Sequence, residues 1–133
     1  MSARAKTRPL SLKAAFEMEF ARRELERRAR DEAVRRQQEQ DLANAQALYA
    51  AVADDGDFLA GHGLSVDVRR YTVSLDHTNF RIAAYFEGGK ASITLADKRG
   101  GTPGSAAPRK QETAESVEDA LQVMAHFLAD ETH

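Results

Sequence analysis

The sequence contains no cysteine and no tryptophan, and only 3 prolines among its 133 residues. Without cysteine, a disulfide framework and thiolate catalysis are both excluded, and the absence is typical of proteins kept in a reducing cytoplasm. No run of about 18 apolar residues occurs, so no transmembrane helix is predicted. The N-terminus lacks the apolar core of a signal peptide. We therefore expect a cytoplasmic protein with no membrane partner.

Motifs for catalysis and metal binding are also missing. The histidines stand at positions 62, 77, 126 and 133, without the His-x-x-x-His spacing of a helical metal site. The glycines between 99 and 104 are not followed by the Lys-Ser or Lys-Thr pair of a phosphate-binding loop. The polar run 76–79, Asp-His-Thr-Asn, has the composition of a turn. We expect no enzyme activity, no cofactor and no metal.

What the sequence does have is a long stretch without a helix breaker. Glycine and proline are absent from Ser11 to Asp55, and Ala, Arg, Glu, Gln and Leu dominate. Ser11 is a suitable N-cap and Gly56 a suitable C-terminal cap, so one helix is predicted over residues 11–55. Such a helix would be about 65 Å long. We expect it either to break near residues 37–38 or to project from the domain.

The middle of this helix, Glu17 to Asp41, is polar nearly all round. Its acids stand four residues before its arginines, the favourable orientation for helical ion pairs. Five pairs are predicted: Glu19–Arg23, Glu24–Arg28, Glu26–Arg30, Asp31–Arg35 and Glu32–Arg36.

Apolar residues are few in the first half of the helix, and the large ones need a partner. Leu12, Phe16 and Phe20 recur every four residues on one face, and Leu25 follows within the polar stretch. If the helix projects, the domain's own core cannot cover them. We therefore expect a homo-oligomer or another protein partner at Leu12, Phe16, Phe20 and Leu25, with a coiled-coil-like seam as one form of it.

The charge is distributed unevenly and suggests an alternative partner. Residues 1–36 hold 11 Lys/Arg and 6 Asp/Glu, a balance of +5, whereas residues 37–133 hold 8 and 15, a balance of −7. Residues 1–10 are predicted to be a disordered basic arm. A nucleic acid could contact Arg4, Lys6 and Arg8 of that arm and Arg23, Arg27 and Arg30 of the helix. A pI near 6.1 argues against this alternative.

From Leu64 the apolar period changes to two, which predicts strands. The alternation shifts parity between Val68 and Tyr71, so a turn or a bulge is predicted at Arg69–Arg70, giving three or four strands. Residues 87–90, Glu-Gly-Gly-Lys, are a strong hairpin signal. Short strands with short connections predict an antiparallel meander. The inward residues expected after the shift are Tyr71, Val73, Leu75, Phe80, Ile82, Ala84, Phe86, Ala91, Ile93 and Leu95.

The C-terminal region predicts a loop and then a helix. Residues 99–111 are rich in Gly, Pro, Ser and Ala and are predicted to be a mobile loop. Ser116 is a suitable N-cap, with Asp119 in the capping-box position. The fold class is therefore α+β: a long N-terminal helix, an antiparallel meander, and a C-terminal helix on the same sheet face. Residues 56–133 are expected to form a small α+β domain, completed by the second half of the first helix.

These observations favour a non-catalytic interaction protein, a scaffold or adaptor that is oligomeric through its long helix. The alternative is a nucleic-acid-binding regulator that uses the arginines and the basic arm. Arginine outnumbers lysine and alanine is abundant, which is typical of proteins from GC-rich bacterial genomes.

Overall fold

The computed structural model describes residues 11–98 and 107–132, so the predicted basic arm lies outside the described residues. The α+β fold class is confirmed, with a long N-terminal helix, an antiparallel sheet and a C-terminal helix on the sheet. In chain order the elements are α1 (Leu12–Ala53), α2 (Gly56–Gly61), β1 (Ser65–Arg69), β2 (Thr72–Asp76), β3 (Phe80–Glu87), β4 (Lys90–Asp97), β5 (Ala107–Ala114) and α3 (Val117–Thr132).

Helix α1 begins where the sequence predicts. Ser11 caps it, since its Oγ accepts a hydrogen bond from the Ala14 N–H at 3.1 Å. Helical structure continues through Gln37 and Gln38 to Ala53. The chain divides after Arg36 into two units, residues 1–36 and residues 37–133. We call the second unit the body.

The sheet has five strands, so the prediction of three or four was wrong. The strand order is β1-β2-β3-β4-β5, and every neighbouring pair is antiparallel. The missed strand is β5, which falls largely in the segment predicted to be a mobile loop. Its sequence, APRKQETA, has no apolar alternation, and its pairing with β4 keeps it in the sheet. A register irregularity between Leu95 and Ala96 interrupts that pairing.

Two hairpin turns differ in how well the sequence predicts them. The turn between β1 and β2 is Arg70–Tyr71, one residue later than expected, and Arg70 has a positive φ of 52°. The turn between β3 and β4 is confirmed. Gly88 and Gly89 there have φ of 63° and 83°, the left-handed conformation that a two-residue type I′ turn requires at both positions.

A short helix, α2, follows α1 almost directly. Gly56 was predicted as the C-terminal cap of the long helix, but it begins α2. Leu59 of this helix is buried and Phe58 is half-exposed. Helix α2 therefore adds one buried residue, Leu59, to the core of the body.

The core of the body lies against the inward face of the sheet. Strands β3 and β4 alternate as predicted, with Phe80, Ile82, Ala84 and Phe86 facing Ala91, Ile93 and Leu95. Helix α3 begins after Ser116, whose Oγ accepts from the Asp119 N–H at 3.1 Å. The helical contributors to the same core are Ala45, Leu48 and Val52 of α1 and Ala120, Met124, Phe127 and Leu128 of α3.

Candidate functional sites

The first candidate site is an apolar stripe on the first unit. Leu12, Phe16 and Phe20 lie one above the other on α1, because residues four apart share a helix face. The three residues are 87%, 61% and 54% exposed. The rings of Phe16 and Phe20 stack with their centroids 5.8 Å apart. We call these three residues the aromatic stripe, an exposed apolar surface with charged residues such as Glu19 and Arg23 beside it.

Leu25 does not belong to the aromatic stripe. It follows Phe16 by nine residues, which is about half a turn away on an α-helix. Its neighbour seven residues earlier is Met18, and the two are 65% and 64% exposed. Of the four residues predicted as an interface, three therefore share a face and the fourth lies on the opposite side with Met18.

The arginines proposed to contact nucleic acid are only partly available. Arg23 Nε donates to Glu19 Oε2 at 2.8 Å. Arg27 donates to Glu24 Oε1 at 2.8 Å and to Asp31 Oδ2 at 3.1 Å. Arg30 forms no ion pair with a residue in 11–98 or 107–132. Arg4, Lys6 and Arg8 lie outside the described residues.

The ion pairs of α1 differ from the predicted set. Of the five predicted pairs, Glu19–Arg23 and Glu32–Arg36 form. The remaining contacts join an acid to an arginine three residues later or four residues earlier, because both positions neighbour an acid on a helix surface. These contacts are Glu19–Arg22, Glu24–Arg27, Glu32–Arg35, Arg22–Glu26 and Arg27–Asp31.

Glu19 is the most strongly held of these carboxylates. Hydrogen bonds from Arg22 and then Arg23 lower its pKa to about 2. Hydrogen bonding from Arg27 likewise lowers the pKa of Glu24. Acids and arginines thus neutralise one another along the helix, so the positive charge available to a phosphate backbone is smaller than the arginine count indicates.

A buried carboxylate connects α1 to the sheet within the body. Asp41 is 4% exposed and stands one helical turn before the buried Ala45. Its Oδ2 accepts from the Gly88 N–H and its Oδ1 from the Gly89 N–H, both at 2.9 Å. Gln37 Nε2 also donates to Oδ1 at 3.1 Å. The sequence signal is an aspartate at the helical spacing of the apolar residues that follow, at the end of the polar stretch.

The second candidate site is a pocket of about 540 Å³ in the body. It lies among the end of α1, helix α2, strand β2 and helix α3. Sequence reasoning missed it because its residues come from four separate elements. The lining residues are Val52, Asp55, Phe58, Leu59, His62, Leu75, Leu121, Met124, Ala125, Leu128, Ala129 and Thr132.

The polar run 76–79 forms a structural turn with its own partners. Asp76 Oδ1 accepts from Arg81 Nε at 2.7 Å and from Lys98 Nζ at 3.2 Å. Partial burial acts to raise the pKa of Asp76, but the bonds from Arg81 and Lys98 outweigh it and hold that pKa below its ordinary value. His77 Nδ1 accepts from the Asn79 N–H at 3.0 Å, and its ring stacks on Phe80.

Across residues 11–98 and 107–132, no group of three or more His, Cys, Asp or Glu side chains is placed to hold a metal ion. The same residues include no helix with the length and apolarity needed to cross a bilayer. No protein family, no curated protein and no solved structure matches this chain.

Proposed function

We propose that this protein is a non-catalytic interaction protein that associates with a second copy of itself through the aromatic stripe of α1. The observation that carries the proposal is the pair Phe16 and Phe20, stacked on each other and each more than half exposed. Apolar surface of this kind, bordered by charged residues, is typical of a protein-protein contact.

The surroundings of the stripe favour a second copy as the partner. In a two-fold dimer the same patch meets itself, so an apolar stripe is its own complement. The charges beside it come in both signs, with Glu19 bound to Arg22 and Arg23. Two such helices can approach without a large excess of like charge at the contact.

The expected affinity is low. Full burial of a Leu or Phe side chain is worth about 1.5–3 kcal/mol, and the phenylalanines of the stripe are already partly covered. Six side chains from two copies would then contribute about 5–10 kcal/mol, whereas association costs at least about 4 kcal/mol. The stripe alone therefore supports a dissociation constant of about 40 µM or weaker.

Sedimentation equilibrium over a wide range of chain concentrations tests the proposal. We expect the mass of the wild-type chain to rise with concentration, and the double variant Phe16→Ser, Phe20→Ser to remain monomeric. Met18→Ser with Leu25→Ser is the matched control, because it removes similarly exposed apolar surface from the opposite side of the helix. A wild-type chain that stays monomeric at millimolar concentration would overturn the proposal, as would loss of association only in the control.

The arrangement of the paired helices can be measured in the same system. The chain has no cysteine, so a cysteine that replaces Lys13 is the only thiol in each copy of the variant. In a parallel pair the two introduced thiols lie together and form a disulfide on oxidation, whereas in an antiparallel pair they lie apart.

Nucleic-acid binding remains the second proposal, supported by Arg30, which has no ion-pair partner in the described residues, and by the basic balance of residues 1–36. The ion pairs of Arg23 and Arg27 weaken it. It predicts salt-sensitive retention on a duplex that is lost when Arg23, Arg27 and Arg30 are all changed to Glu. Absence of retention at low salt would end it.

A further inference from the structure

The pocket of the body has the size and lining of a small-molecule site. Its volume of about 540 Å³ falls within the range of about 300–1,000 Å³ that ligand pockets occupy. Nine of its twelve lining residues are apolar, and Phe58, on its wall, is 48% exposed. The apolar part of a ligand would therefore cover apolar protein surface that is otherwise exposed to water.

The three polar residues of the lining are Asp55, His62 and Thr132, and all of them offer acceptors. The Asp55 carboxylate makes no hydrogen bond or ion pair with the described part of the chain. The Thr132 hydroxyl donates its hydrogen to the Leu128 carbonyl oxygen at 2.9 Å, which leaves its oxygen lone pairs to accept. A polar ligand group that reaches any of these three residues must supply a hydrogen-bond donor.

His62 fits the same pattern. Its Nδ1 lies 3.0 Å from the Phe58 carbonyl oxygen. A carbonyl oxygen can only accept, so Nδ1 carries the proton in this contact. In the neutral ring Nε2 is then an acceptor as well. Its ring also packs against Phe58, with centroids 4.4 Å apart, so the acceptor and the apolar wall belong to one surface.

The charge of the pocket lining indicates which kind of hydrogen-bond donor a ligand should carry. The lining contains the carboxylate of Asp55 and no lysine or arginine. Asp54 and Asp57 stand beside Asp55 in the sequence and are exposed. We propose that this pocket binds a small molecule with a compact apolar body and an ammonium head, the body lying among the α2 and α3 side chains and the head at Asp55.

Three probes that differ only in the head group test the proposal: adamantylammonium, adamantanol and adamantanecarboxylate. Each is titrated into the full chain while backbone amide chemical shifts are recorded. We expect the ammonium probe to bind most tightly, the alcohol more weakly and the carboxylate least, with the shifts concentrated on α2, α3 and Leu75. Equal binding of the three probes would overturn the proposal, as would the absence of shifts at the pocket with the ammonium probe.

Variants separate the head contact from the apolar contact. Asp55→Asn should weaken binding of the ammonium probe about threefold to fivefold, as expected for an exposed charge pair, and leave adamantanol unchanged. Asp54→Asn is the matched control, since this neighbouring carboxylate is outside the lining, and it should leave binding of all three probes unchanged. Ala125→Trp should fill the pocket and abolish binding of the ammonium probe and the alcohol. Equal losses in Asp55→Asn and Asp54→Asn would show that the ammonium responds only to overall charge, which would contradict a contact at Asp55.

Discussion

The Asp41 carboxylate accepts the backbone N–H of Gly88 at 2.9 Å, across 47 positions of the chain. Its other oxygen accepts the Gly89 N–H, so one buried side chain satisfies both amides of the β3–β4 turn. A buried carboxylate is tolerated only where its oxygens are hydrogen-bonded, and here two amides and Gln37 do this.

Removal of this carboxylate should be strongly destabilising. Hydrogen bonds to a charged group are worth about 1.5–3 kcal/mol each, and Asp41→Ala would also leave two turn amides without an acceptor, so we expect a loss of about 2–4 kcal/mol in the free energy of unfolding. Asp41→Asn keeps one acceptor oxygen and should lose about half as much. Urea denaturation followed by circular dichroism measures the loss, since the chain has no tryptophan.

Glu39→Ala is the control for this prediction. Glu39 is exposed and stands two residues before Asp41 on the same helix. Its replacement should change the free energy of unfolding by no more than about 0.5 kcal/mol. Equal effects at positions 39 and 41 would mean that the turn contact contributes nothing to stability.

Arg70 is a second position at which the structure predicts the direction of a change in stability. It has φ of 52° in the β1–β2 turn, and for a non-glycine residue this conformation costs about 1–2 kcal/mol. Its guanidinium lies 5.5 Å from the centroid of the Tyr71 ring, an exposed contact worth about 0.5–1 kcal/mol. Relief of the backbone strain outweighs loss of that contact, so Arg70→Gly should raise the melting temperature.

Arg70→Lys provides the comparison, because it retains both a cation and the strained conformation. Its melting temperature should stay at the wild-type value. A lower melting temperature for Arg70→Gly would indicate that the contact with Tyr71 is worth more than the strain.

Asp76 should contribute stability that depends on pH. Its folded pKa is lower than that of an unfolded aspartate, about 3.9. The contribution is therefore complete above that value and is lost as the pH falls through the folded pKa. Asp76→Asn should cost about 1–2 kcal/mol at neutral pH, and the difference from the wild-type chain should shrink below about pH 4. Denaturant titrations at several pH values measure it, and a difference that stays constant down to pH 2 would contradict this assignment.

The N-cap of α1 should influence self-association if the aromatic stripe is the contact. Loss of the Ser11 hydroxyl costs about 1 kcal/mol of helix stability, and the first turn carries Leu12. Ser11→Ala should weaken association by up to about fivefold, whereas Ser11→Asp, which also caps, should preserve it. Equal weakening by both substitutions would point to a role of the hydroxyl other than capping.

The sequence predicted the elements that have strong local signals. The absence of glycine and proline between Ser11 and Asp55 gave the bounds of α1 within two residues, and Glu87–Lys90 gave the correct hairpin. Strand β5 was missed because Pro108, Arg109 and Lys110 lack apolar alternation, and pairing with β4 supplies its hydrogen bonds instead.

The candidate sites show the same division between local and distant information. The aromatic stripe can be predicted from the spacing of its residues along one helix. The same helical geometry places Leu25 on the opposite side of α1. The pocket and the Asp41 contact join residues far apart in sequence, such as Leu75 with Met124 or Asp41 with Gly88, and no local pattern marks them. The β1–β2 turn was predicted one residue too early, because turns at Arg69–Arg70 and at Arg70–Tyr71 both fit the shift in the alternation of apolar residues.

The contact between Asp41 and the Gly88–Gly89 turn also determines where α1 tolerates changes in length. Asp41, Ala45, Leu48 and Val52 are all buried within the body, so inserting one residue between Asp41 and Ala45 would rotate the carboxylate by about 100° away from the turn. Insertions before Gln37 leave every one of these positions unchanged. Natural variants of this chain should therefore differ in the number of residues ahead of Gln37 and keep constant the number between Asp41 and Val52.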